Sequence, residues 1–264
     1  MFLSISELRD LTVLMSGRLK IDYTGYNLSF FGRRVANVFK KMGLRRVQDL
    51  QTILNSLVKD DEVTYHMAVP GTEVFRSPSF WRQIIRILTE NDIKTVWVPS
   101  LTSNHELYSL AIVRELAGRR NETKIEVNVV SDRTTREVNE LLIPETEKDL
   151  TKTNYERLQT STPLEDFIRT ENENGMYLKR ELMENIEFRN GWYMNTDTVS
   201  YDMVLFRNTL IEYKKSLHEK AAQKMMDSLK GRGSVLCLGG RERPLVGDGW
   251  FDETLAYDGI YIRK

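Results

Sequence analysis

Five short apolar segments after residue 93 constrain the fold of this chain more than any other feature. Each is a short, mainly apolar run of the length that buried strands have. They are TVWV (95–98), IEVNVV (125–130), DMVLF (202–206), SVLCLG (234–239) and GIYI (259–262). Helical segments separate most of them, and this alternation predicts crossover connections and a mostly parallel sheet. The predicted fold class is therefore α/β, with a doubly wound, Rossmann-like sheet.

The rest of the chain divides into two further parts. Residues 1 to about 90 have the apolar spacing and the composition of helices. We predict a small all-helical domain over 1–78, followed by the α/β domain over 79–264. Residues 140–185 interrupt the alternation of strands and helices and are rich in Glu, Thr, Asn and Lys. We interpret them as a small subdomain inserted at the edge of the sheet.

Charge and cysteine content exclude several classes of function. Lys+Arg and Asp+Glu number 38 each, which gives no overall electrostatic reason to expect nucleic acid or an anionic membrane as partner. No run approaches the roughly 18 apolar residues of a spanning helix, so we expect a soluble protein without membrane insertion. Cys237 is the only cysteine and the histidines are scattered. We therefore expect no disulfide, no metal site and a cytoplasmic location.

A basic stretch in the helical part allows two interpretations. Residues 32–57 intersperse apolar positions with basic side chains, which are Arg33, Arg34, Lys40, Lys41, Arg45 and Arg46. The common explanation is a solvated face on amphipathic helices. The alternative is a surface that contacts an acidic partner. Nucleic-acid binding through this stretch is a third and weaker hypothesis.

The segment TVWVPSLTSNHELYSLA (95–111) has the order strand, polar loop, helix, yet its loop contains no glycine. In nucleotide-binding α/β proteins, glycines at this place let the backbone approach the ligand. Glu106, Tyr108 and Ser109 follow the loop, near the free N–H groups of a helix N-terminus. The segment is either a remodelled ligand site or a plain connection between strand and helix.

Three other segments carry side chains suited to ligand binding. Residues 69–81 (VPGTEVFRSPSFW) have the composition of an interdomain turn. Ser131-Asp132 follows the second strand, where an acidic residue either accepts hydrogen bonds from ribose hydroxyls or caps a helix. Arg207-Asn208 follows a central strand, at the crevice where open α/β sheets bind ligands, although Asn208 is also suited to capping the next helix.

Taken in order, these segments resemble the CheR family of chemotaxis receptor methyltransferases over nearly the whole chain. WVPSLTSNHELYSLA is similar to the family's WSAGCSTGEEPYSLA, and FRNTLIEY is similar to CRNVLIYF. LKGRGSVLCLGGRE resembles LKPGGYLFLGHSE if one extra residue is allowed. The resemblance implies transfer of a methyl group from S-adenosylmethionine to glutamate side chains, with a receptor or signalling protein that carries acidic helices as partner. It assigns cofactor contacts to Thr72, Arg76, Glu106, Asp132, Arg207 and Asn208.

The sequence departs from the family pattern mainly around the cofactor. Ser100 and Asn104 replace two loop glycines, and Asn104 is the better suited to preserve a left-handed turn. The other replacements are Pro70 for an asparagine, His105 for a glutamate and Glu212 for an active-site tyrosine. A shift of the chain could bring the adjacent Tyr213 into that place.

Two functions are compatible with these departures. Methyl transfer to a carboxylate requires no general base, because the nucleophile is already ionised at neutral pH. Cofactor binding and positioning then supply most of the rate. The chain is either a methyltransferase, with full or reduced activity, or a diverged member that no longer binds the cofactor and serves as a protein-binding module in signalling.

Overall fold

A computed structural model describes residues 3–56, 59–69, 71, 73–245 and 249–264. Pro70 and Thr72, to which the resemblance assigns places beside the cofactor, lie outside the described residues. The helices within these ranges are α1 (Ile5–Leu19), α2 (Leu28–Met42), α3 (Val47–Asn55), α4 (Asp60–Met67), α5 (Pro78–Glu90), α6 (Asn104–Leu116), α7 (Asp132–Glu140), α8 (Glu145–Glu156) and α9 (Lys215–Asp227). The strands are β1 (Thr95–Val98), β2 (Lys124–Val129), β3 (Leu142–Pro144), β4 (Ile168–Asn172), β5 (Gly175–Leu178), β6 (Ile186–Asn190), β7 (Met203–Phe206), β8 (Val235–Leu238), β9 (Phe251–Asp252) and β10 (Ile260–Arg263).

Local sequence signals set several helix ends. Ser4 and Glu7 form a capping box at the start of α1, since each side chain accepts a hydrogen bond from the other residue's backbone N–H. Gly43 ends α2 in the left-handed conformation at φ 68°, which glycine adopts without strain. Pro78 is the first residue of α5, where the N–H that proline lacks would have no partner within the helix.

The main sheet has the strand order β6-β2-β1-β7-β8-β10-β9. The pairs from β6 to β8 are parallel, and β10 pairs antiparallel with both β8 and β9. This order confirms the predicted α/β class with a doubly wound, mostly parallel sheet. The chain runs outward from β1 in one direction through β2 and then returns to β7, so the topological switch point lies between β1 and β7.

All five predicted strands are present, but the edge strand β6 was not predicted. Its residues Ile186–Asn190 are only partly buried or exposed. An edge strand has one neighbour and one solvated side, so it lacks the continuous apolar run by which the central strands were recognised.

Helices cover both faces of the sheet. Val96 and Val98 pack in one hydrophobic core together with α5 and α6. Trp97, between them, points to the opposite face and packs in a second core together with α1, α2, α3 and α9. The alternation follows from the two-residue period of a strand. The N-terminal helices therefore lie directly on the sheet and share its core.

Within residues 140–185 the chain forms a second, antiparallel sheet of order β3-β5-β4. Helix α8 lies between β3 and β4 in sequence and packs on this sheet. The buried side chains Met176 and Leu178 of β5 belong to the same core as α5 and α6. The inserted sheet thus extends one face of the α/β layer. In the part of the chain that the structure describes, no helix has both the length and the apolar character required to cross a membrane.

Candidate functional site

A cavity of about 170 Å³ lies at the carboxyl ends of β1 and β7, at the switch point of the sheet. It is lined by the loop after β1, by the residues after β7, by residues 67–69, 71, 73 and 76, and by aromatic side chains that precede or begin α2. Small-molecule sites usually measure roughly 300–1,000 Å³. A nucleotide-sized ligand therefore requires the elements around this cavity to move apart.

The loop after β1 is held by side chains instead of glycines. Ser103 Oγ accepts a hydrogen bond from the Gly71 N–H at 2.8 Å and contacts His105 Nδ1 at 3.0 Å. His105 Nε2 lies 2.7 Å from the Glu147 carboxylate of α8. Ser100 lines the cavity at a position where the CheR family, which the sequence resembles, has glycine. The polar replacements fasten the loop to the segment before α5 and to the inserted subdomain.

Asn104 does not form the left-handed turn that an asparagine is suited to preserve. Asn104 is the first residue of α6, and no residue of the loop 99–104 has a positive φ. Its side chain donates to the Leu142 carbonyl at 3.2 Å and does not line the cavity. In this conformation the loop has no position at which glycine is required for backbone reasons.

Glu106 and Arg207 bridge the two sides of the switch point. Glu106 is in the first turn of α6, Arg207 follows β7, and their side chains form an ion pair at 3.1 Å. The Arg207 side chain is 7% exposed, and its guanidinium lies 4.0 Å from the centroid of the Phe80 ring. Burial raises the pKa of Glu106, while the positive charges of Arg207 and Arg76 oppose that shift. Arg76 also lines the cavity.

Asn208 occupies a strained position that Glu242 stabilises. Its φ is 60°, in the left-handed region that asparagine tolerates better than most residues. The Glu242 carboxylate accepts hydrogen bonds from the backbone N–H groups of Asn208 at 2.8 Å, Gly239 at 2.6 Å and Ile211 at 3.2 Å. Glu242 is 3% exposed. It ties the ends of β7 and β8 together and so positions Asn208 at the cavity.

The structure does not bring Asp132 to the cavity. Asp132 is an exposed residue at the start of α7, and its carboxylate accepts a hydrogen bond from Asn190 Nδ2 at 2.7 Å. The helix cap is Ser131, whose side chain accepts from the Arg133 N–H. The Asp61 carboxylate of α4 accepts from the N–H groups of Asp132 at 2.7 Å and of Arg133 at 3.3 Å. An acid from the helical domain therefore occupies the donors at the end of β2.

The cavity lining also includes aromatic side chains and the Glu212 carboxylate. The rings include those of Tyr23, Tyr26 and Phe30. Burial and the negative charge of Glu242 raise the pKa of Glu212 to about 8, while the charge of Arg34 opposes the shift. Among the described residues, no side chain or backbone group forms a hydrogen bond or ion pair with the Glu212 carboxylate.

Tyr213 does not take the place of the family's tyrosine. It is buried, its hydroxyl lies 3.0 Å from the Tyr193 hydroxyl, and it does not line the cavity. The hypothesis that a chain shift brings Tyr213 into the site is therefore wrong, and Glu212 is the residue that faces the cavity.

Sequence reasoning identified four of the described residues that meet here and missed others. Arg76, Glu106, Arg207 and Asn208 share the cavity. The missed lining residues come mainly from the N-terminal helices and from distant loops, and they include Ile21, Tyr23, Tyr26, Phe30, Thr64, Met67, Glu73 and Trp192. The cluster of aromatic residues between 23 and 31 is visible in the sequence, but nothing in it indicates that these side chains lie near the residues after β7.

Comparisons with known proteins do not assign this chain to a family. No family model matches the sequence. An uncharacterized 104.1 kDa protein in the hypE 3′ region of Rhodobacter capsulatus is 25% identical over 242 residues, which are 84% of this chain and 24% of that protein. The chain thus spans about a quarter of the length of that relative.

Two solved structures are similar to this chain at low TM-scores. Magnesium protoporphyrin IX methyltransferase from Synechocystis, with bound S-adenosylmethionine, has a TM-score of 0.33 and 7% identity, covering 90% of this chain and 77% of that one. A class I S-adenosylmethionine-dependent methyltransferase from Listeria monocytogenes has a TM-score of 0.32 and 9% identity, covering 88% and 71%. The fold class rests on the strand order of this chain itself.

Proposed function

We propose that this chain binds S-adenosylmethionine in the cavity between β1 and β7 and transfers its methyl group to an acceptor on another protein. The observation that carries the proposal is the meeting of Arg76, Glu106, Arg207 and Asn208 at the carboxyl ends of the two strands. Parallel α/β sheets bind ligands at this point of the topology.

The charges of these residues match the amino-acid end of the cofactor. S-adenosylmethionine carries an ammonium group and a carboxylate, which complement the Glu106 carboxylate and the Arg76 guanidinium. Arg207 holds Glu106 in place through their ion pair. Asn208 supplies an amide that donates and accepts hydrogen bonds. When bound, the cofactor supplies a methyl group on a positively charged sulfur, and the protein has to orient the acceptor in line with it.

The ribose end of the site requires a movement. Asp132 is turned away from the cavity and Asp61 covers the start of α7. Separation of α4 from α7 would free the N–H groups of Asp132 and Arg133 and enlarge the cavity. Cofactor binding is thus expected to compete with the contact between the helical domain and α7.

From the resemblance of the sequence to the CheR family, the expected methyl acceptor is a glutamate side chain on an acidic helix of a signalling protein. Five basic residues of the stretch 32–57 are exposed and available to an acidic partner: Arg33, Lys40, Lys41, Arg45 and Arg46. Arg34 is not, because its guanidinium donates to the carbonyls of His66, Met67 and Ala68 at the end of α4. The same five residues also suit an ordinary solvated face.

Isothermal titration with S-adenosylmethionine and S-adenosylhomocysteine tests cofactor binding. We expect saturable heat and a rise in melting temperature with both ligands. Arg207→Met should weaken both, because it leaves Glu106 without its ion pair, whereas Lys215→Met on the exposed side of α9 should change neither. Absence of heat and of a thermal shift at saturating ligand would refute the proposal and leave the second candidate, a protein-binding module. The contact of Asp61 with α7 is the observation that favours that candidate.

A further inference from the structure

We propose that the methyl acceptor is a protonated amine and that Glu212 binds it and accepts its proton. The proposal rests on the function proposed above and names the class of acceptor for the same cavity. It differs from the glutamate acceptor that the family resemblance predicts.

The surroundings of Glu212 have the composition of a cation site. Glu212, Tyr23, Tyr26 and Phe30 line the same cavity, and the negative charge of Glu212 acts on the hydroxyls of both tyrosines. The Tyr23 and Tyr26 rings lie 5.3 Å apart between centroids, and the Tyr26 and Phe30 rings are stacked at 6.0 Å. Ring faces attract an ammonium group through their quadrupole, most strongly where water is excluded. A carboxylate together with ring faces is a combination that recognises amines.

The charged groups around Glu212 leave its charge available to a ligand. Arg34, from α2, is the cation that acts on it, but the Arg34 guanidinium is occupied by three carbonyls at the end of α4. Glu242, beyond β8, adds a second negative charge. Tyr23 and Tyr26 are neutral at physiological pH, since burial raises the pKa of both hydroxyls. A bound ammonium would supply the positive charge that Glu212 lacks.

A glutamate acceptor gains less from Glu212 than an amine does. Near neutral pH, Glu212 with its pKa of about 8 is mostly protonated and offers an acceptor carboxylate no opposite charge. A bound ammonium favours the ionised form of Glu212, because an opposite charge in close contact stabilises it.

The proposed reaction transfers one proton and one methyl group. The ammonium R–NH3+ gives one proton to the Glu212 carboxylate and becomes the amine R–NH2. The lone pair of this nitrogen forms the new N–C bond to the methyl carbon. The C–S bond of the sulfonium breaks and its electron pair stays on sulfur, which leaves S-adenosylhomocysteine and the ammonium R–NH2+–CH3. Glu212 then passes its proton to solvent.

Binding in the presence of S-adenosylhomocysteine tests the proposal without turnover. The probes are Nα-acetyl-lysine methylamide and Nα-acetyl-glutamate methylamide, titrated calorimetrically into the protein saturated with S-adenosylhomocysteine. We expect the lysine probe to bind and the glutamate probe not to bind. Glu212→Gln should weaken binding of the lysine probe at least about tenfold more than it weakens binding of S-adenosylhomocysteine, while Glu219→Gln, an exposed residue of α9, should change neither affinity.

The pH dependence gives a second readout. Binding of the lysine probe should rise as Glu212 ionises, near pH 8, and fall again as the probe loses its own proton, near pH 10.4. The rising limb should be absent in Glu212→Gln. With labelled S-adenosylmethionine, the label on a lysine acceptor should resist mild alkali, which removes methyl esters of glutamate.

The outcomes separate this inference from the function on which it rests. If S-adenosylhomocysteine does not bind at all, the proposed function fails and the inference falls with it. If S-adenosylhomocysteine binds but the glutamate probe binds better than the lysine probe, only the inference is overturned. An unchanged affinity for the lysine probe in Glu212→Gln overturns it as well.

Discussion

The contact between Asp61 and the start of α7 leads to a prediction in which stability and ligand affinity change in opposite directions. The Asp61 carboxylate accepts hydrogen bonds from the N–H groups of Asp132 and Arg133, and it lies 3.6 Å from the Arg136 guanidinium. Asp61→Ala removes these interactions from the interface of α4 with α7. The perturbation thus tests whether the helical domain closes the ribose end of the site.

The structure limits the size of the effect. Loss of a side chain that caps helix N–H groups costs about 0.5–2 kcal/mol. The Asp61 side chain is 40% exposed, so its ion pair with Arg136 adds little. Ser131 still caps the helix in the variant. We therefore expect a loss of about 1–2 kcal/mol in the free energy of unfolding and, at about 2–4 °C per kcal/mol for a chain of this size, a melting temperature lower by about 2–8 °C.

The same change should favour the ligand. If the contact between Asp61 and α7 has to break before the cofactor binds, the free energy of that contact reduces the observed binding free energy. Removing about 1–2 kcal/mol of it should tighten S-adenosylhomocysteine binding by up to about 5–30-fold.

Urea unfolding and calorimetric titration measure the two effects on the same protein. Asp149→Ala, in the exposed part of α8, is the matched control and should change neither quantity. Lower stability without tighter binding would show that the contact is a structural cap and not a barrier to the ligand. Unchanged stability would contradict the role of Asp61 altogether.

Three further predictions follow from the site. Folding raises the pKa of Glu212 from 4.5 to about 8, so the folded state binds the proton more tightly than the unfolded state. The free energy of unfolding, measured in urea, should therefore fall as the pH rises from about 4.5 to 8, and it should fall less in Glu212→Gln. The same pH dependence in both proteins would contradict this. Gly239→Ala places a Cβ 2.8 Å from the Glu242 carboxylate and should cost about 1–3 kcal/mol of unfolding free energy. Gly240→Ala, whose Cβ meets nothing within 4 Å, is the control, and equal melting temperatures would refute the steric argument. Arg207→Met should weaken S-adenosylhomocysteine binding at least about tenfold at pH 7, and undiminished binding would exclude the ion pair from the site.

The elements that form the sheet could be predicted because their signals are local. The strand residues 96–98, 203–206 and 235–238 are all apolar and buried, since helices cover both faces of the sheet. The edge strand Ile186–Asn190 was missed because one of its sides faces solvent. The segments after β1 and β7 indicated the cavity because the carboxyl ends of adjacent parallel strands meet at one edge of a sheet.

The details of the cavity could not be predicted, because they depend on which polar groups are already hydrogen-bonded to residues from other segments. Asp132 follows β2 as an acid for ribose would, yet Asn190 and Asp61 occupy its side chain and its N–H. Asn104 is a residue type common in turns, yet it is the first residue of helix α6. Neither outcome has a signal in the neighbouring residues.

The sequence by itself determined the α/β class, the order of the strands along the chain and four residues of the cavity, because apolar periodicity and strand ends are properties of short segments. Only the tertiary structure decided which residues face the ligand. Folding brings Tyr26 and Glu212, which are far apart in the chain, into the lining of one cavity. It also holds the Arg34 guanidinium on the carbonyls at the end of α4, where it forms no ion pair with the Glu212 carboxylate. The charge that a ligand meets is a sum over side chains from distant segments, and no short segment contains that sum.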